Sequence, residues 1–282
     1  MRDHRKNLEL GLLIRYQSRG GPIMAVSLYE FIGYQSKLDH VRRYFSHLHF
    51  KYDPYRGWNS KSFLHDTWIL YNLIEIYNPK KIYGRFRISE KSIVWRKGFS
   101  SPQSLYRWGF RGEINQVIDS VIPSIKLVLE DKRIIFIGCQ NSFTGYRPDL
   151  CIYAEIREIK IVPEGENKIN IFFDNRVMAS IIKKERNLWH IEEGKYRVRP
   201  NIIVEVKESK GSLHSGIKNN IKKYKKMFPD SKLLIICPER IEEEKLNGCY
   251  FIRDTFKEEF SNNIVCDKDK FQKRLGCIIL QK

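Results

Sequence analysis

The chain has 282 residues and a formal net charge of +18, because 51 Lys and Arg stand against 33 Asp and Glu. This excess of positive charge is larger than solubility requires and predicts a polyanionic partner. Nucleic acid is the first candidate, although charge alone would also suit an anionic membrane surface. A hydrophobic content of 42% is enough for a buried core, which excludes a disordered chain.

The cysteines and the first residues bear on the cellular compartment. Six cysteines at 139, 151, 237, 249, 266 and 277 form no CxxC pair. Several lie in apolar stretches, so we expect buried thiols in a reducing compartment rather than a zinc site or disulfides. The charged N-terminus lacks the apolar core of a signal peptide, and no window resembles a membrane span. We therefore expect a cytoplasmic protein with no membrane partner.

The first part of the chain predicts helices. Residues 1–60 contain a break at Gly20-Gly21-Pro22 and a predicted helix around 36–48, which indicates a mostly helical extension. The bulky apolar segment 62–77 ends at Asn78-Pro79 and predicts a buried helix whose acids are Asp66 and Glu75.

Strands dominate the middle of the chain. Apolar runs at 81–88, 92–96 and 133–139 predict strands, and 113–130 predicts a helix between them. A further strand should start at about Asp149, because Pro148 is tolerated before a strand and not within one. Residues 163–199 are polar and variable in pattern, which predicts an insertion with a hairpin around 169–174.

The segment 201–239 predicts a βαβ unit. An apolar run reaches Lys207, and a strand is predicted at 233–237. The helix between them has an apolar stripe of Leu213, Ile217, Ile221, Tyr224 and Phe228, and it ends at Pro229. Such a crossover predicts that the two strands are parallel neighbours.

The first of these strands carries two charges on one face. Glu205 and Lys207 are two residues apart and project together, whereas Val204 and Val206 point to the other face. Unpaired buried charge is costly, so both groups need partners. A metal ion and a phosphate would satisfy them.

Together these residues resemble a known nuclease family. Pro148-Asp149 at a strand start, followed by Glu205-Val206-Lys207 at the end of a later strand, is similar to the PD-(D/E)xK superfamily over roughly residues 62–239. The resemblance implies an α/β, restriction-endonuclease-like mixed sheet flanked by helices, with the motif strands adjacent. It also implies that Asp149 and Glu205 hold one or two Mg²⁺ or Mn²⁺ ions, with Lys207 beside the attacked phosphate and water.

Within that superfamily, the chain resembles the nuclease subunit of methylcytosine-dependent restriction systems. Those proteins carry an acid two residues before a tryptophan on the first core helix, which makes Asp66 in Asp66-Thr67-Trp68 an additional metal-side candidate and Glu75 its alternative. The chain departs from the pattern in having Asp at 66, Glu at 205 and 56 positions between Asp149 and Glu205. It contains no GxxxxGK[ST] loop, so any nucleotide-hydrolysing motor is a separate subunit.

The implied organisation has three parts: an extension over 1–60, a nuclease core over 61–240 with the insertion near 163–199, and a C-terminal extension over 241–282. Arg147 precedes the Pro-Asp step and is a candidate for binding the nucleic-acid backbone. Further candidates are the lysines on the polar side of the crossover helix, for which a solvated helix face is the alternative. They are Lys218, Lys222, Lys225 and Lys226.

The motif residues leave several interpretations open. Acid-x-Lys triplets are common in a chain that is 30% charged, and Glu158/Lys160 is the one rival on a plausible strand. The first hypothesis is a Mg²⁺-dependent DNA endonuclease of a defence or mobile-element system. A homodimer would supply the two sites that cutting both strands needs. The alternatives are a non-catalytic nucleic-acid-binding protein on the same scaffold and a basic assembly subunit. The sequence does not distinguish DNA from RNA.

Overall fold

The computed structural model describes residues 14–16, 24–26, 69–70, 72–97, 111–139, 141, 143, 147–184, 188–192, 198–206, 216–236, 248–252 and 268–280. The strands are β1 (Ile14–Tyr16), β2 (Met24–Val26), β3 (Lys81–Ile88), β4 (Ile93–Lys97), β5 (Arg111–Gly112), β6 (Ile125–Val128), β7 (Ile134–Cys139), β8 (Leu150–Tyr153), β9 (Ile159–Pro163), β10 (Lys168–Phe173), β11 (Arg176–Lys183), β12 (Trp189–Ile191), β13 (Ile202–Val206), β14 (Lys232–Ile236) and β15 (Tyr250–Ile252). The helices are α1 (69–70 and 72–77), α2 (Ile114–Val121), α3 (Gly216–Met227) and α4 (Lys268–Leu280).

An eight-stranded mixed sheet organises the molecule, in the order β15-β14-β13-β8-β7-β6-β3-β4. Strands β13, β14 and β15 are parallel, and the other neighbours in this sheet are antiparallel. The predicted α/β class and the predicted parallel pairing of β13 with β14 are therefore confirmed. The crossover between these two strands contains α3, as its apolar stripe predicted.

Both faces of this sheet are covered. On one face, called here the α1 face, side chains such as Val204 and Val206 pack with residues of α1 and α4, among them Leu73 and Phe271. On the other, the α3 face, Ile203 packs with residues of α2, α3 and the second sheet. A strand buried on both sides must be apolar throughout, which explains why β13 is apolar except for Glu205.

A second, five-stranded sheet has the order β5-β12-β11-β10-β9 and is antiparallel throughout. Its β10–β11 pairing confirms the hairpin predicted around 169–174. Alternate residues of β10 are buried and join the core of the α3 face, where Phe173 meets Tyr153 with ring centroids 5.1 Å apart. The insertion between the motif strands is thus a folded layer that shares their core.

Two predictions for the first half of the chain need correction. The helix predicted for 113–130 ends at Val121, and 125–128 forms β6. Pro123 lacks the N–H that a continuing helix needs, and Ile125 and Leu127 alternate inward as strand residues do. In the extension expected to be mostly helical, the described residues are the paired strands β1 and β2, and the helix predicted around 36–48 lies outside the described residues.

The described cysteines follow the prediction in part. Cys139 and Cys151 are buried free thiols, as expected. Cys277, on α4, is exposed, so burial was the wrong expectation there. Among the described helices, none combines the length and the apolar composition that crossing a bilayer requires.

Arg85 of β3 is a buried charge that holds the end of α2. Its guanidinium forms an ion pair with Asp119 at 3.0 Å and donates to the main-chain oxygens of Ile122 and Pro123. The Arg85 side chain is only 2% exposed, so these partners replace water around it. The contact ties the sheet to the last turn of α2.

We predict that Arg85→Ala lowers the free energy of unfolding by about 3 kcal/mol. The substitution removes the partner of the largely buried Asp119 carboxylate and of the main-chain oxygens of Ile122 and Pro123. Arg87→Ala, on the exposed side of the same strand, is the matched control and should stay within about 0.5 kcal/mol. Urea unfolding measures both values. Equal losses in the two variants would contradict the proposed anchoring role.

Candidate active site

Asp149 and Glu205 meet because β8 and β13 are antiparallel neighbours. Their register pairs Ile202 with Ile152 and Val204 with Leu150, so the next position opposite Glu205 is Asp149. Side chains alternate along a strand, which places Glu205 on the α3 face. The prediction that the two motif strands are adjacent is confirmed.

The Asp149 carboxylate closes the ladder between these strands. Its Oδ2 accepts a hydrogen bond of 2.7 Å from the main-chain N–H of Val206. The side chain therefore takes the place of a backbone carbonyl at the point where β8 begins. This bond fixes Asp149 at the end of β13, beside Glu205.

Glu205 is a charged group inside the core. The residue is 5% exposed, and its Oε1 accepts a hydrogen bond of 2.8 Å from the Tyr224 hydroxyl of α3. Burial raises the pKa of Tyr224, and the adjacent Glu205 charge raises it further. The Tyr224 hydroxyl therefore remains protonated and donates to the carboxylate.

Sequence reasoning did not identify Tyr224 as a site residue. It was assigned only to the apolar stripe of α3, and its ring is indeed buried beside Ile221 and Phe228. The available signal was the hydroxyl itself, since a buried tyrosine O–H needs a partner and its apolar neighbours offer none.

The charges of the site change the pKa values of two neighbouring groups, Cys151 and Arg147. Burial raises the pKa of the Cys151 thiol, and the charges of Glu205 and Asp149 raise it further, so the thiol stays neutral. Arg147 is half-buried: burial lowers its pKa, whereas the Asp149 charge opposes that shift. The structure thus brings Asp149, Glu205, Tyr224, Cys151 and Arg147 within electrostatic reach of one another.

The remaining predicted catalytic and metal-side residues are Lys207, Asp66 and its alternative Glu75. Lys207 and Asp66 lie outside the described residues. The alternative acid, Glu75, accepts a hydrogen bond from Gln272 of α4. Because α1 and α4 pack on the α1 face, Glu75 is on a helix that covers the face opposite Glu205. Across the described ranges, no three His, Cys, Asp or Glu side chains cluster closely enough to hold a metal ion.

The predicted lysines of α3 differ in their surroundings. Lys222 and Lys226 are exposed, which fits either a solvated face or a nucleic-acid contact. Lys225 is half-buried and hydrogen-bonds to Cys249, just before β15. Its position therefore has a structural explanation. Lys218 belongs to α3, but its side chain lies outside the described residues.

The rival triplet Glu158/Lys160 is a surface ion pair. The two side chains are 50–57% exposed and contact each other at 2.9 Å. Such a pair contributes little to stability and requires no metal. It offers a matched acid-x-Lys control at the start of β9, an edge strand of the second sheet.

Comparisons of the chain with protein-family models, with curated proteins and with solved structures find no significant match.

We predict that Tyr224→Phe lowers the free energy of unfolding by about 1.5 to 3 kcal/mol in the presence of EDTA, because the Glu205 carboxylate loses a buried donor while the ring is kept. Tyr250→Phe, at the exposed first position of β15, should change it by less than about 0.5 kcal/mol. Urea unfolding compares them. An unchanged value for Tyr224→Phe would show that the hydroxyl does not support Glu205.

Proposed function

We propose that this protein is a metal-dependent nuclease that hydrolyses phosphodiester bonds, with DNA as its substrate. The observation that supports it best is the placement of Asp149 and Glu205 opposite each other on adjacent strands, although their sequence positions differ by 56. A buried carboxylate such as Glu205 is costly to keep and is common where a protein needs it for chemistry. The net charge of +18 supports a polyanionic substrate.

The donor set fits Mg²⁺ or Mn²⁺. Carboxylate oxygens are the ligands such hard cations prefer, and Mg²⁺ commonly uses one or two carboxylates while keeping several waters. An ionised carboxylate has about four acceptor positions, and the bonds from Val206 to Asp149 and from Tyr224 to Glu205 each occupy one of them. When bound, the ion would act as a Lewis acid that stabilises charge on the phosphate.

The chain's own residues would supply the remaining functions. Arg147, beside Asp149, would bind and neutralise a phosphate oxygen next to the scissile bond. Lys207 would lie on the Glu205 side of the strand if β13 continued, where it would orient the attacking water or stabilise charge. Tyr224 would position Glu205 by holding one of its oxygens.

The resemblance to restriction nucleases extends the proposal. It favours a restriction-endonuclease-like fold and an endonuclease of a defence or mobile-element system, which would work with a separate nucleotide-hydrolysing motor and as a homodimer. The mixed sheet and the βαβ unit after Glu205 are consistent with that resemblance.

We predict that Asp149→Asn, Glu205→Gln and Lys207→Ala each reduce Mg²⁺-dependent cleavage by at least about 100-fold, because they remove metal ligands or charge that acts in the transition state. Nucleic-acid binding should change little, since affinity comes mainly from dispersed phosphate contacts. The assay uses plasmid, linear and single-stranded substrates with Mg²⁺ or Mn²⁺, with the partner motor added where one is encoded nearby.

Glu158→Gln and Lys160→Ala are the matched controls, and both should cut at the wild-type rate. If the site variants cut as fast as wild type, the proposed site is not the catalyst. If wild type binds nucleic acid and never cuts, the non-catalytic scaffold replaces this proposal.

Metal binding gives a test that does not require activity. Mn²⁺ at about 100 times its dissociation constant should raise the free energy of unfolding of wild type by about 2.7 kcal/mol. Glu205→Gln and Asp149→Asn should lose this increment, each compared with the same variant in EDTA, and Glu158→Gln should keep it. If Mn²⁺ raised the free energy of unfolding equally in wild type and in all three variants, the ion would bind elsewhere.

A further inference from the structure

The hairpin formed by β3 and β4 is strongly basic. Between positions 80 and 97 the sequence contains seven Lys and Arg, whereas Glu90 is the only acid. Arg85 is buried in the anchor described above, and the other six are exposed. They are Lys80, Lys81, Arg87, Lys91, Arg96 and Lys97. Since β4 is an edge strand of the large sheet, these exposed charges lie along one edge of that sheet.

The hairpin lies at the same end of the sheet as the candidate active site. One row of paired residues crosses five strands: Gly84, Ile125, Ile137, Ile152 and Ile202. From that row, β13 and β8 reach Glu205 and Asp149 after three more positions. In the same direction β3 runs on to Ile88, four positions beyond, so the hairpin turn is level with the site.

The lateral separation suits a bound polymer. Four strand spacings of about 4.8 Å separate β13 from β3, which amounts to about 19 Å. At about 3.4 Å per nucleotide step, this distance corresponds to five or six nucleotides. A nucleic acid engaged at Asp149 would therefore be long enough to reach the hairpin.

The hairpin presents its outer side in a fixed arrangement. Trp95 faces inward against Phe136, with ring centroids 5.7 Å apart, and Arg85 anchors β3 to α2. On the outer side, which is the α1 face because Arg96 pairs with Gly84 in the row of Ile125 and Ile202, the Arg96 guanidinium lies 3.3 Å from the centroid of the Phe86 ring. The Phe86 side chain is 46% exposed, and this face is the one opposite Glu205. A guanidinium restrained on an aromatic ring loses less freedom when it binds a phosphate than a freely moving one.

We propose that the β3–β4 hairpin is a second nucleic-acid contact, which binds the phosphate backbone several nucleotides from the scissile bond. This inference rests on the proposed function, because it takes the substrate to be nucleic acid. The contact chemistry is electrostatic and independent of base sequence. It would hold the substrate in register across the sheet end while Asp149 and Glu205 engage the scissile phosphate.

The test compares two sets of three neutral substitutions. The hairpin variant carries Arg87→Gln, Lys91→Gln and Lys97→Gln. The control carries Arg176→Gln, Lys183→Gln and Lys184→Gln, which removes the same charge from exposed residues at the two ends of β11 in the second sheet. Fluorescence anisotropy in EDTA measures affinity for short duplex DNA, single-stranded DNA and RNA over a salt series, and urea midpoints establish that both variants are folded.

The hairpin variant should lose at least about tenfold in affinity at low salt, and the slope of log affinity against log salt should fall by about two to three, since each duplex phosphate contact contributes about 0.9. The control slope should fall by less than about one. Arg87→Lys alone should keep the wild-type slope, because the positive charge is retained.

Equal slopes in the hairpin and control variants would overturn the hairpin contact while leaving the nuclease proposal intact, provided that wild type binds and cuts. A wild-type protein that binds none of the three nucleic acids would overturn both. Among duplex DNA, single-stranded DNA and RNA, the one for which the salt slopes of the two variants differ most is the form of nucleic acid that the hairpin contacts.

Discussion

The antiparallel pairing of β8 with β13 is the contact on which the candidate site depends. It joins segments between which four of the five strands of the second sheet, β9 to β12, lie in sequence, and it brings Asp149 opposite Glu205. A slip of one residue would turn Glu205 toward the α1 face, which is lined by side chains such as Leu73 and Ile74. The bond from the Val206 N–H to Asp149 fixes the last position of this register. The inserted sheet keeps the pairing intact because it packs into the same core instead of separating the two strands.

Electrostatics make the site unusual within that core. Taking an ionised carboxylate out of water costs several kcal/mol, and the Tyr224 hydroxyl returns only part of that free energy. Arg147 adds a nearby positive charge next to Asp149. In the proposed function, the metal ion and the substrate phosphate complete the balance of charge. The same interpretation gives the basic hairpin a purpose, since a site that handles a phosphodiester must hold a long polyanion in place.

The sequence predicted those elements whose patterns are local and strong. The apolar run before Glu205 and the stripe of α3 gave the βαβ unit, and Pro148 gave the start of β8. The prediction was wrong at 125–128, where a helix was expected and a strand is found. The composition of 113–130 favours a helix throughout, and the interruption at Pro123 was not taken into account. The partner of Glu205 could not be predicted, because the contact with Tyr224 depends on how α3 packs over β13 rather than on either local pattern. The position of the hairpin along the strands, at the same end of the sheet as the site, could not be predicted either. It follows only from the registers of four strand pairings, which local patterns do not specify.

Anomalous X-ray diffraction from crystals containing Mn²⁺ tests the central claim most directly, because it locates the ion without requiring turnover. The account predicts an anomalous peak at about 2.0 to 2.6 Å from one carboxylate oxygen of Asp149 and from one of Glu205. A peak that contacts both residues would establish them as a shared metal site. A fully occupied Mn²⁺ ion bound elsewhere, with no peak between these two carboxylates, would contradict the account.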